Sequence, residues 1–191
     1  MPIHRFERRA LLATPWKNGG GVTREIVCQP PGAGMDDFDW RVSIAEISRD
    51  GSFSRFEGVD RVITLLEGAG VRLLSDDGAL DHRLSAPLAP FAFAGETPLT
   101  STLLDGGCHD CNVMTRRARC RADVLVCTGG RALAPAAAGL LMSVHRTWQA
   151  GEHVLGPGEG LWWTDHRVAW PLTCADFDAA LLAVAIYPVT P

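Results

Sequence analysis

Trp40-Arg41-Val42-Ser43-Ile44-Ala45-Glu46-Ile47 is the stretch on which the fold turns. It is rich in β-branched residues, and polar side chains fall at alternate positions through its first half, which is the two-residue period of a strand. Asp50-Gly51 closes it with a strong turn dipeptide. Side chains two apart share a face, so Arg41 and Ser43 stand together while Trp40, Val42, Ile44 and Glu46 take the other side. One face pairs a guanidinium with a hydroxyl. The opposite face places a carboxylate at the end of an apolar row.

The same phrasing continues outward. Arg61-Val62-Ile63-Thr64-Leu65-Leu66 reads as a strand halted by Glu67-Gly68-Ala69-Gly70, and Val71-Arg72-Leu73-Leu74 follows, ending at Asp76-Asp77-Gly78. Phe91-Ala92-Phe93, residues 122–127, Leu140 to Val144, residues 160–163 and the doubly apolar run from Ala179 to Tyr187 are further strands. Nothing before residue 130 keeps a helical period for three turns. Short strands separated by Gly and Pro predict an all-β sandwich or barrel. Residues 129–139, rich in Ala, Pro and Gly, are expected to be a connector, with a short Ala-rich helix as the alternative. The phrasing of Pro90 to Phe93 recurs at Gly160 to Trp163, a weak sign of two related modules.

A chain of 191 residues holds one substantial core or two small β modules. Its net charge of −4 argues against a general nucleic-acid or anionic-membrane surface. No signal-like segment opens it and no apolar run reaches membrane-spanning length, so a cytoplasmic location is expected. The six cysteines are then expected as free thiols.

Trp16-Lys17-Asn18-Gly19-Gly20-Gly21 is the most unusual stretch. Three glycines permit positive φ and close approach by a ligand or another strand, and Lys17 with Asn18 supplies donors to an anion and one acceptor. A plain lead-in to the next strand accounts for it equally well. Arg41 and Arg61 suit carboxylates if they face a barrel mouth; taken singly, each is more readily a surface residue. Asn112 could read a polar ligand or cap a turn. Cys108-His109-Asp110-Cys111 has the spacing of half a zinc site but lacks a second ligand pair. No HxH pair and no GxSxG occur. Arg116, Arg117, Arg119 and Arg121 are expected on a solvated strand edge, three of them on one face.

WKNGGGVTREI at 16–26 and FDWRVSIAEISRDGSFSRFEGVDR at 38–61 resemble the HutD/Ves family of the cupin superfamily. LLEGAGVRL at 65–73, FAFAGE at 91–96 and NVMTRR at 112–117 extend the resemblance across residues 10–120. It implies a double cupin: a barrel over residues 1–128 holding the main pocket, and a smaller module over residues 129–191, with strands able to exchange between them. It also implies metal-independent binding of a small carboxylate, with no cofactor, in an auxiliary or regulatory role in bacterial histidine utilisation. Formylglutamate or formiminoglutamate would be the ligand. The site residues it implies are Lys17, Asn18, Arg41, Ser43, Glu46, Arg61 and Asn112, with Glu46 accepting from an amide or formimino N–H. The family brings no established reaction. Cupins often pair through sheets, which implies a homodimer. Metal-binding cupins take ligands from an HxH motif, a Glu and a later His, and these histidines are missing here. Cys111 departs from the family, where an aromatic residue tends to stand. Two other functions compete: a metal-free isomerase or epimerase using Glu46, and a structural module whose interior is filled by its own side chains.

Overall fold

The structure, a computed structural model, describes residues 3–189. Among them the regular elements are nineteen strands and one 3-10 turn at Arg8–Ala10. The chain forms two compact units, one over Leu12–Cys120 and the other from residues 3–11 with 121–189. The expected boundary at 128/129 falls just after the strand Cys120–Cys127.

β1 (His4–Glu7) precedes the first unit and belongs to a sheet of the second. The first unit has a six-stranded antiparallel sheet in the order β2 (Ala13–Pro15), β3 (Gly21–Gln29), β4 (Trp40–Ile47), β11 (Cys108–Arg116), β6 (Val59–Glu67) and β9 (Pro90–Ala94). A smaller sheet runs β5 (Gly51–Ser52), β10 (Leu99–Leu103), β7 (Val71–Ser75) and β8 (Asp81–Leu84). Ile47, Ile63 and Leu65 from the first sheet pack with Val71, Leu73 and Leu99 from the second. Each such side chain contributes about 2 kcal/mol by leaving water.

Register then sets the chemistry of the inner face. Arg41, Met114 and Arg61 stand side by side across β4, β11 and β6. The next row is Ser43, Asn112 and Ile63, and the next is Ala45, Asp110 and Leu65. Charge therefore gives way to apolar side chains along β4 and β6, while β11 runs the other way, from Met114 through Asn112 to Asp110.

The second unit joins a five-stranded sheet to a four-stranded one. The first is ordered β1, β17 (Glu159–Trp163), β14 (Ala138–His145), β19 (Ala180–Pro188) and β12 (Cys120–Cys127). The other runs β13 (Arg131–Ala136), β18 (Val168–Thr173), β15 (Trp148–Ala150) and β16 (His153–Leu155). Trp148, Trp163 and Trp170 fill this interior, and the rings of Trp163 and Trp170 meet at 5.3 Å.

Two expectations are corrected. Residues 131–136 are neither connector nor helix but strand β13, paired with β18. The pairing shifts between Leu133 and Ala136, so Pro135, which lacks an N–H, sits at the irregularity a strand proline requires. The arginines at 116–121 do not share a strand face, because the chain turns at 117–119. Arg117 instead binds Asp60 and Glu96, Arg119 binds Asp39, and Arg121 binds Asp123. Their charge is locally matched.

Candidate functional site

Six of the seven residues singled out from the sequence come together. Lys17, Asn18, Arg41, Ser43, Arg61 and Asn112 all line one cavity of about 690 Å³ in the first unit. They converge because Arg41, Asn112 and Arg61 lie on one face of three adjacent strands. The loop from β2 to β3 brings Lys17 and Asn18 alongside.

That loop is held from within. Trp16 Nε1 donates to Thr23 Oγ1 at 2.7 Å, and Gly20 N donates to Asn18 Oδ1 at 3.0 Å. Gly21 is the glycine with a steric reason: a Cβ there would lie 2.1 Å from the carbonyl oxygen of Glu46. It admits the neighbouring strand rather than a ligand.

The two guanidiniums are buried, Arg41 at 8 % and Arg61 at 5 % exposure. Arg41 donates from Nε to Glu25 Oε2 at 2.7 Å and from Nη1 to Ser43 Oγ at 3.1 Å. Arg61 donates from Nη1 to the Ser54 carbonyl at 3.2 Å, and its Nε faces Asn112 Oδ1 at 3.4 Å. Phe53, Phe56 and Phe93 surround the Arg61 guanidinium, with ring centroids 5.0 to 5.5 Å away. Such rings attract a cation through their quadrupoles. Burial lowers the Arg61 guanidinium to about 10; Asp110 opposes that shift and Arg41 adds to it. It remains charged at neutral pH.

In each arginine Nη2 has no protein partner among the described residues, and neither atom is sealed from solvent. The cavity thus offers two oriented donors on fixed positive groups. That arrangement suits a carboxylate.

Glu46 is the exception. It stands on the opposite face of β4, with its Oε2 3.6 Å from His109 Nε2, while His109 Nδ1 lies 3.2 Å from Glu67 Oε2. Glu46 does not line the cavity. Strand alternation separated it from Arg41 and Ser43 at the outset; only the resemblance placed it with them.

Sequence reasoning missed Glu25, Asp110 and the phenyl cage. Glu25 was inside the quoted motif and lies two residues from Thr23, the period that puts both on the cavity side. Asp110 is two residues from Asn112, which carried the same signal. Its carboxyl is 1 % exposed, and neither oxygen has a hydrogen-bond partner or contact with solvent. Burial pushes it up to about 7, against the pull of Arg61. The phenylalanines come from two segments far apart in sequence, Phe53 and Phe56 from the loop before β6 and Phe93 from β9, and no local pattern joins the two.

A cupin-type metal does not fit this cavity. Its lining holds no histidine, and its carboxyls are Glu25, tied to Arg41, and the sealed Asp110. Among the described residues no group of three or more His, Cys, Asp and Glu side chains stands together as metal ligands. Cys108 and Cys111 lie three apart on β11 and so project to opposite faces, which removes the half zinc site.

The HutD family model matches residues 8–182. The chain belongs to the HutD family. It is 42% identical over 161 residues to the Ves protein of Cronobacter sakazakii, covering 84% of this chain and 86% of that one. It is also 42% identical over 163 residues to the Ves protein of Citrobacter koseri, covering 85% and 83%. HutD from Pseudomonas fluorescens superposes with a TM-score of 0.87 at 30% identity, over 99% of this chain and 100% of that one. A conserved protein of unknown function from Pseudomonas aeruginosa gives 0.84 at 30%, over 97% and 99%. A cupin barrel protein from Leptotrichia buccalis, at 9% identity and a TM-score of 0.61, shares the fold alone over 96% of each chain. This HutD-family chain is therefore an all-β double cupin.

Proposed function

We propose that this protein binds a small anionic metabolite in the cavity of its first unit, without a metal, as an auxiliary or regulatory component of cytoplasmic histidine utilisation. The observation that carries the proposal is the pair Arg41 and Arg61: two buried guanidiniums that line one cavity, each fixed by protein bonds through Nε and Nη1 and each with Nη2 unpaired among the described residues. Burying two cations is costly unless anions complete their shells. Glu25 answers one of them, and a ligand carboxylate answers what remains.

A degradation intermediate with two carboxylates, such as formylglutamate or formiminoglutamate, matches two guanidiniums in one cavity. Phe53, Phe56 and Met114 give its hydrocarbon chain an apolar wall. Asn112 offers an amide beside Arg61 for a polar substituent. The isomerase alternative has lost the carboxylate nominated for it, since Glu46 lies outside the cavity. Calorimetric titration with formylglutamate tests the proposal. Saturable one-to-one binding is expected, and absence of heat with every histidine-pathway acid contradicts it.

A further inference from the structure

Asp110 has no role in holding the anion, yet it is the group in this cavity wall most in need of one. A buried carboxyl ordinarily accepts hydrogen bonds, and Asp110 accepts none. Its cross-strand neighbours on the cavity face are Ala45 and Leu65, neither of which can donate from its side chain. We propose that the cavity takes up its anion together with one proton, which Asp110 holds; the inference rests on the anion-binding assignment of the same cavity.

The groups around Asp110 fix the direction of the coupling. β6 contributes Arg61, β4 contributes Arg41, β3 contributes Glu25, and the loop before β3 contributes Lys17. On its own strand and face stands Cys108, whose thiol is pushed up to about 11 by burial and then by Asp110. The segment 52–56 adds Ser52, Phe53, Ser54 and Phe56 to the lining, all uncharged. Arg41 is already committed to Glu25. An ionised Asp110 is supported chiefly by Arg61, and burial already holds its carboxyl near neutrality at about 7. An arriving anion draws on that same guanidinium and adds a second negative charge nearby. Both effects favour the neutral carboxyl. The proton comes from solvent and ends on an Asp110 oxygen, and no bond of the ligand changes.

Affinity is then whole below about pH 7 and falls as pH rises, by up to tenfold per unit. No histidine lines the cavity, and ligand carboxylates with ordinary values of about 4 are already ionised over this range. The test is calorimetric titration of the full chain with N-formylglutamate, from pH 6 to 8.5, in two buffers of different ionisation heat. The wild type should take up a growing fraction of one proton per ligand as pH rises above 7. Asp110→Asn, a neutral isostere, should take up none and keep the low-pH affinity at pH 8.5. A purely structural Asp110 would not move proton count. Wild-type binding with constant affinity and no proton uptake overturns the inference and leaves the anion site standing. No binding of the anion at any pH overturns both. If Asp110→Asn fails to fold, the wild-type proton count decides alone.

Discussion

Arg41 donates from Nε to Glu25 Oε2 at 2.7 Å, across the pairing of β3 with β4. The contact orients the planar fork of a side chain that would otherwise sample many rotamers, and Ser43 holds a second nitrogen. Recognition by a pre-set fork loses less conformational entropy than recognition by a mobile one. Glu25 is therefore part of the site although its side chain is half exposed.

Arg41→Ala removes one fork and leaves Glu25 free to turn toward water. Loss of charge-assisted bonds to a ligand corresponds to about 1.5–3 kcal/mol, or roughly 10- to 100-fold in affinity. Thermal stability should stay within about 3 °C of wild type, because an ion pair with one exposed partner contributes little. Undiminished formylglutamate affinity in a folded variant sinks the assignment.

Arg61→Met tests the phenyl cage. An apolar chain of similar length fits among Phe53, Phe56 and Phe93. At pH 6 the Asp110 carboxyl, at about 7, is mostly protonated, so Arg61→Met strands no buried charge. Replacing buried ionic groups with apolar volume of similar size is often neutral or stabilising by about 1–4 kcal/mol. At pH 6 the melting temperature should equal or exceed wild type while anion binding disappears. A variant that melts more than about 5 °C lower shows that Arg61 is held for stability instead.

Glu46→Gln should leave ligand affinity within twofold of wild type, since Glu46 faces His109 and not the cavity. A tenfold loss in the same titration would restore it to the site.

Asp110 also gives stability a pH dependence of definite sign. Its carboxyl binds a proton more tightly folded, at about 7, than unfolded, at about 4. Its contribution is whole below about pH 4 and is lost as pH rises to about 7, because the folded state binds more protons across that window. Asp77, Asp81, Glu96 and Asp178, all shifted down by hydrogen bonds, act in the opposite sense at lower pH. The melting temperature of Asp110→Asn relative to wild type should therefore rise between pH 5 and 7. A constant difference across that window contradicts the buried-acid account.

Much of this molecule was legible from period and punctuation. The alternation in 40–47 put Arg41 and Ser43 on one face, and it also put Glu46 on the other. The error over Glu46 came from setting resemblance above alternation. What stayed hidden was long-range. Strand register decides that Arg41 and Arg61 flank Met114, and no local pattern states which strands pair. Residues 129–139 misled because Ala, Pro and Gly carry little strand propensity, while partnership with β18 overrode it. Asp110 was hidden inside a motif that looked like zinc chemistry. Its importance depends on having no partner, which composition cannot show.

The most direct test is a thermal-shift titration of the purified full chain with formylglutamate at pH 6.5 in the presence of a metal chelator. At a hundredfold excess over Kd, binding adds about 2.7 kcal/mol, or roughly 5 to 10 °C for a chain of this size. The account predicts that rise in wild type, unaffected by chelator, and its fall to about half or less in Arg41→Ala at the same ligand concentration. An unchanged melting temperature with every histidine-pathway acid, or a shift that vanishes on chelation, would contradict it.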